Sequence, residues 1–215
     1  MAKLSSYHLK LIAALTMLLD HAGAILYPET DWLRTVGRIS FPLFLWLLIQ
    51  GEKHTRDVWR YGLRLGLLGL LSQPIYQFAF DTTQLNVLFH LLVGLACLHV
   101  TRKQPELTWI VWISAALGTE ILNISYGSYG IVLLVLFRYF QPSSLWWLVW
   151  IGVNLLYVIP FGTFQLPVIV VPLLFLLFNR QRGPQIRWFY GFYPGHIAAL
   201  AGLHRWLQLG QPTFF

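Results

Sequence analysis

Long apolar runs alternate with short polar segments from one end of the chain to the other, and nine of these runs predict helices. They cover about residues 9–27, 35–51, 60–80, 85–100, 107–123, 127–140, 145–160, 165–178 and 188–208. A bilayer crossing takes ~20 residues at ~1.5 Å per residue, and most of the runs come near that length. The sixth and eighth are short, which fits a tilted, bundle-buried or re-entrant segment. Prolines at 74, 160, 167, 172 and 194 fall inside or at the ends of runs and should kink them.

Composition turns this pattern into a class. Of 215 residues, 57% are hydrophobic and only 11% charged, where a soluble domain carries about 25% charged residues. The mean hydropathy is +0.61. One cysteine, Cys97, excludes a disulfide scaffold, and its apolar run predicts an inert thiol. The expectation is a single all-α domain over 1–215, a polytopic transmembrane helix bundle of about nine spans. The first run, interrupted by Asp20 and His21, has no small-residue cleavage site and is not expected to be a removable signal peptide.

Net charge is +7, yet the cations are distributed between the runs and do not form one nucleic-acid-binding face. Placing the N-terminus in the cytoplasm puts Lys3, Lys10, Lys53, Arg56, Arg60, Arg64, Arg102, Lys103, Arg138, Arg180, Arg182 and Arg187 inside. Only Arg34, Arg38 and Arg205 are then outside. This is the positive-inside distribution, and nine spans put the C-terminus outside. Trp32, Trp59, Trp109, Trp146, Trp147 and Trp188 stand near span ends, as interfacial belts require.

Against this background, ionisable residues inside spans become informative, because each costs ~2.5–3.5 kcal/mol or more at membrane depth unless paired or hydrated. Asp20 and His21 lie roughly 15–18 Å along the first helix, in the outer half. Arg34 and Arg38 share a helix face and enter the second span at a similar depth, so Asp20 is expected to pair with Arg38. Arg34 fits either a site residue or an interfacial, snorkelling arginine. His21, titrating near neutrality, is the candidate general base.

Lys53, Arg56, Arg60 and Arg64 form the densest basic group. The last three, at i, i+4 and i+8, read as one stripe entering the bilayer from the cytoplasm. Its anion is either a carboxylate, Glu52 or Asp57, or a ligand phosphate, which guanidinium forks match. Asn86, His90, Glu120, Asn123, His196 and His204 are further intramembrane polar residues, each fitting a structural hydrogen bond as well as a site. No H-x-x-x-H or similar spacing appears, and no metal is expected.

Four segments together resemble one family. They run Lys10 to Gly23 around Asp20-His21, Leu33 to Pro42 around Arg34 and Arg38, Gly51 to Arg56 with Tyr61 and Arg64, and Phe189 to His196. This pattern resembles the TraX family, named for a conjugation protein linked to N-terminal acetylation of F-pilin. Leu85-Asn86-Val-Leu-Phe fits as well, although threonine is commoner in the family where this chain has His90. TraX-like proteins are related to the membrane acyltransferase-3 group and, more distantly, to lysosomal heparan-glucosaminide N-acetyltransferase.

The resemblance implies a bacterial inner-membrane acetyltransferase. It would take its acyl group from cytoplasmic acetyl-CoA and deliver it to an acceptor: a peptide N-terminus, a glycan or a lipid headgroup. It implies that His21 is the catalytic histidine and that Arg60 and Arg64 match an arginine motif, here R-x-x-x-R in place of R-x-x-R. A coenzyme A arm of about 20 Å could reach from Arg56, Arg60 and Arg64 towards His21. Arg38 or Asn86 would stabilise an oxyanion, and a ping-pong route through acetyl-histidine is the alternative to direct transfer. Two other readings compete: a proton-coupled transporter using Asp20, His21 and Glu120, and a non-enzymatic component of a secretion or conjugation assembly.

Overall fold

The computed structural model describes residues 3–184 and 189–209, so Arg187 and Trp188 lie outside the described residues. The described residues are all-helical: α1 Ser6–Ile25, α2 Asp31–Gly37, α3 Ser40–His54, α4 Val58–Phe80, α5 Val87–Lys103, α6 Thr108–Ile121, α7 Gly127–Arg138, α8 Ser144–Phe161, α9 Val171–Leu176 and α10 Phe189–Leu209. A 3-10 segment, Thr163–Val170, leads into α9. Among the described residues, two stretches, Ser6–Ile25 and Asp31–His54, are long and apolar enough to cross a membrane.

All nine apolar runs become helical, with two departures from the expected continuity. In the second, Arg38 and Ile39 keep right-handed helical dihedrals but interrupt the regular bonding, so α2 and α3 follow one another within the single stretch Asp31–His54. The eighth is a 3-10 segment followed by one short helix, because Pro167 and Pro172 withdraw backbone donors that an unbroken α-helix would need. Elsewhere side chains fix the helix starts. Asp57 accepts from the Arg60 N–H at 2.9 Å to cap α4, Asn86 from Leu88 at 3.0 Å to cap α5, and Ser143 from Trp146 at 3.2 Å to cap α8.

Helix α1 packs on α2, α3 and α10, while α4 packs on α5 and α10, and α5 also meets α3, α6 and α7. An aromatic core joins α3 to the C-terminal half. Trp46 stacks on Phe175 at 4.1 Å, Phe137 meets Trp150 at 5.0 Å, and Trp146 packs on Phe140 at 4.8 Å. Trp146 is therefore a core residue and not part of an interfacial belt, whereas Trp32, Trp59 and Trp109 are exposed. Cys97 is free and buried.

The outward faces are apolar. On α4, Leu63, Leu67, Leu70 and Leu71 are exposed; on α6, Ile110, Ile113, Leu117 and Ile121; on α8, Leu145, Leu148, Leu156 and Ile159. Two isolated backbone bridges tie the chain at separate places. Leu4 pairs with Phe178, and Leu85 pairs with Ile124.

Candidate functional site

Helices α1 and α2 meet where Gly37 lies against Asp20. A Cβ on Gly37 would run into the backbone and Cβ of Asp20, so only glycine allows this approach. The approach lets Arg38 Nε come within 3.6 Å of Asp20 Oδ1, with Arg34 Nε at 4.0 Å. The pairing expected from depth is thus present: Asp20 is shared between two arginines. Arg38 also hydrogen-bonds the Tyr126 hydroxyl, whose ring stacks on Phe41 at 3.7 Å.

Gly37→Ala is expected to cost about 3 kcal/mol or more, because it overpacks the interface and pulls apart a largely buried ion pair. Gly118→Ala is the control, since nothing lies within 4 Å of a Cβ there. Thermal unfolding in detergent should show a large fall in Tm for Gly37→Ala and little change for Gly118→Ala.

His21 does not bond Asp20. Its Nδ1 lies 2.7 Å from His196 Nε2, and His196 Nδ1 lies 2.6 Å from the Phe192 carbonyl oxygen. The two imidazoles are within 5° of parallel with centres 4.9 Å apart. Two rings joined nitrogen to nitrogen across 2.7 Å have their centres about that far apart, so they meet edge to edge in one plane, as an N–H···N bond requires. Phe80 closes the His21 ring edge-on at 5.0 Å.

A cavity of about 460 Å³ opens on this group, lined among others by Asp20, His21, Arg38, Tyr76, Tyr126 and Tyr193. A second cavity of about 520 Å³ has a different character. Its basic rim is Lys10, Arg64, Arg180 and Arg182, with His54 and Tyr61 beside them. Met17, Phe44, Val87 and Tyr193 line both cavities, so a single thin wall separates them. Tyr193 is pinned there, its hydroxyl accepting from the backbone N–H of Val87 at the start of α5. Lys10 and His21 sit on the same helix, about 16 Å apart along its axis.

Several expected roles need correction. Arg56, Arg60 and Arg64 do not form one stripe. Asp57 caps α4, which leaves Arg56 before the helix, and Arg60 turns to Asp57 at 3.0 Å on an exposed face. Lys53 is exposed and lines neither cavity. Of the expected basic group, Arg64 alone lines the second cavity. Glu52 pairs with Arg102 at 3.0 Å, so neither carboxylate considered for Arg64 serves it; Arg64 Nη1 is 3.5 Å from the Tyr190 hydroxyl.

Asn86 is not placed to hold an oxyanion. Fully buried, its amide donates to the Gly69 carbonyl at 2.9 Å and to Gln73 at 2.8 Å, bracing α4 near Pro74. Glu120 lines the first cavity, but its carboxylate is engaged: it accepts from Ser128 at 2.7 Å at the start of α7. His90 is fully buried, edge-on to Phe41 at 5.3 Å and pressed on Gly130, outside both cavities. His204 bonds Gln208 at 2.9 Å.

Sequence reasoning missed Arg180 and Arg182 as site residues. They reach the rim because residues 4–6 pair with 177–181: Leu4 N–H donates to Leu177 O, Asn179 N–H to Leu4 O, and Ser6 N–H to Gln181 O, all at 2.8–2.9 Å. Arginines spaced one residue apart after a long apolar run are the signal that was available.

The architecture defines an all-helical protein with two abutting cavities, one basic and one holding a paired imidazole beside a shared carboxylate. The family follows. The model of the TraX protein family matches residues 5–204, and the chain belongs to that family. Among curated proteins it is similar to the "Probable fimbrial assembly protein FimC, serogroup H1" of Dichelobacter nodosus, at 27% identity over 95% of this chain and 97% of the relative. No solved structure matches.

Proposed function

We propose that this chain is a multi-pass inner-membrane acetyltransferase that takes its acetyl group from cytoplasmic acetyl-CoA and passes it to an amine or hydroxyl acceptor on the other side. The observation that carries this reading is the shared wall of Met17, Phe44, Val87 and Tyr193 between a basic cavity and one holding a base. A donor with a polyphosphate head and a reactive tip at the end of a long arm fits that pair. Its head binds Lys10, Arg64, Arg180 and Arg182, and its arm of about 20 Å is long enough to reach His21 once the shared wall at Tyr193 parts.

Membrane embedding is supported by the rows of exposed large apolar side chains on α4, α6 and α8, since contiguous exposed apolar patches mark membrane or protein contacts. It also fits the grouping of chain ends. Residues assigned to the cytoplasm by charge (Lys10, Arg64, Arg180, Arg182) gather at one cavity, while residues assigned to the outer side (Asp20, Arg34, Arg38) gather at the other.

In the reaction His21 removes a proton from the acceptor nitrogen or oxygen as that atom bonds to the thioester carbon. The carbonyl π pair moves onto oxygen, and Arg38 stabilises the resulting charge. The oxyanion then collapses, the C–S bond breaks, and the departing thiolate takes the proton back from the His21 imidazolium. No outside oxidant or metal is required. The fimbrial assembly role in the name of the D. nodosus relative favours a fimbrial subunit, through its N-terminal amine, as the first acceptor to try.

That same name favours a second reading, a non-enzymatic membrane component of fimbrial assembly. Purified protein in liposomes separates the two when given radiolabelled acetyl-CoA. The transferase should hydrolyse the thioester slowly or exchange label with free CoA, and should label a fimbrial N-terminal peptide. Release no faster than from empty vesicles would favour the assembly role.

A further inference from the structure

We infer that His196 is a positioning residue that fixes the tautomer of His21, so that His21 Nε2 is the basic atom of the site. The role as base rests on the acyl-transfer reading; the tautomer assignment rests on geometry alone. The Phe192 carbonyl can only accept, so the proton between it and His196, across 2.6 Å, resides on His196 Nδ1. A neutral His196 then has only a lone pair at Nε2. His21 Nδ1, 2.7 Å away, must be the donor, and a neutral His21 carries its lone pair on Nε2. The polarity of the pair is set from the main chain outward: carbonyl, His196, His21, substrate.

The arrangement does for His21 what a carboxylate does for the histidine of a hydrolase triad, where the wrong tautomer alone lowers kcat by about 10⁴-fold. Asp20, the neighbouring acid, is not available for that task because Arg34 and Arg38 share it. A neutral orienting group also suits the place. Phe80, Tyr193 and Phe192 surround the two rings at ring-centre distances of 4.6–6.4 Å, and a second carboxylate buried among aromatic rings would carry a large desolvation cost that a neutral imidazole avoids.

The helix supplies the geometry. Phe192 and His196 are one turn apart on α10, and Pro194 lies between them. The i to i−4 reach of an α-helix brings the His196 side chain back over the Phe192 carbonyl, which fixes where its Nδ1 proton points.

Two variants and one spectroscopic measurement on the full-length protein in lipid nanodiscs test this. His196→Gln keeps an acceptor near the position of Nε2, and His196→Leu removes it. Gln should keep acetyl-CoA turnover within about tenfold of wild type, while Leu should lower kcat by about 10³-fold with the acetyl-CoA KM unchanged. Histidine-selective nitrogen-15 spectra of the wild type should show His21 protonated at Nδ1, and the Leu variant should shift it to Nε2. Wild-type His21 protonated at Nε2, full turnover in the Leu variant, or equal losses in both variants would each overturn the inference. If the Leu variant does not fold, the wild-type spectrum still decides. An inactive wild type with Nδ1-protonated His21 would instead overturn the transferase reading and support the tautomer assignment.

Discussion

His21→Ala is expected to lower acetyl transfer by about 10³-fold, within the 10²–10⁴-fold range that a positioned general base contributes, and to leave acetyl-CoA binding unchanged. The separation follows from the two cavities. His21 lines only the one with Asp20 and Arg38, and the cationic rim belongs to the other. The protein should tolerate the change, because the side chain makes one hydrogen bond, to His196, and takes no part in the Asp20 ion pairs. Isothermal binding of acetyl-CoA beside single-turnover transfer in the same proteoliposomes reads both quantities. Transfer within tenfold of wild type would move the base to another group of that cavity. A parallel loss of donor affinity would mean that the imidazole holds substrate and does not take a proton.

How much of this was legible in the sequence depended on the range of the interaction. Helix positions were clear, since each apolar run is a local signal. The irregularity at Arg38-Ile39 was not, because residues on both sides continue the apolar pattern and the close approach of Gly37 to Asp20 is a contact between helices. The Asp20–Arg38 pair could be anticipated from depth alone: one carboxylate and one guanidinium at the same level of an apolar bundle have few other partners. The arginine stripe failed for a local reason visible in the chain itself. Asp57 precedes α4 as an N-cap and takes Arg60 with it.

Other parts of the site depend on contacts that no spacing reveals. His21 and His196 are 175 residues apart, joined because α10 packs on α1. The basic rim needs residues 4–6 to pair with 177–181 before Arg180 and Arg182 approach Lys10 and Arg64. Asn86 looked like an intramembrane donor free for chemistry, whereas helix α4, through Gly69 and Gln73, consumes both of its amide hydrogens.

That rim carries the other large expected effect. Replacing Arg64 and Arg182 together by alanine should weaken acetyl-CoA binding by about 10²–10³-fold, since hydrogen bonds to charged groups contribute about 1.5–3 kcal/mol each and ~1.4 kcal/mol is tenfold. Lys53→Ala should leave it unchanged, because that side chain lines neither cavity. Because the rim is partly open to water, wild-type affinity should fall as salt rises, and the double variant should lose most of that dependence. Dephospho-CoA and free pantetheine complete the measurement. Their affinities should differ from that of CoA in the wild type and converge with it in the variant, as expected if these guanidiniums read phosphate. Equal affinity of wild type and the Arg64/Arg182 variant for acetyl-CoA at low salt would remove the donor from this cavity. The path past Tyr193 to His21 would then lose its starting point.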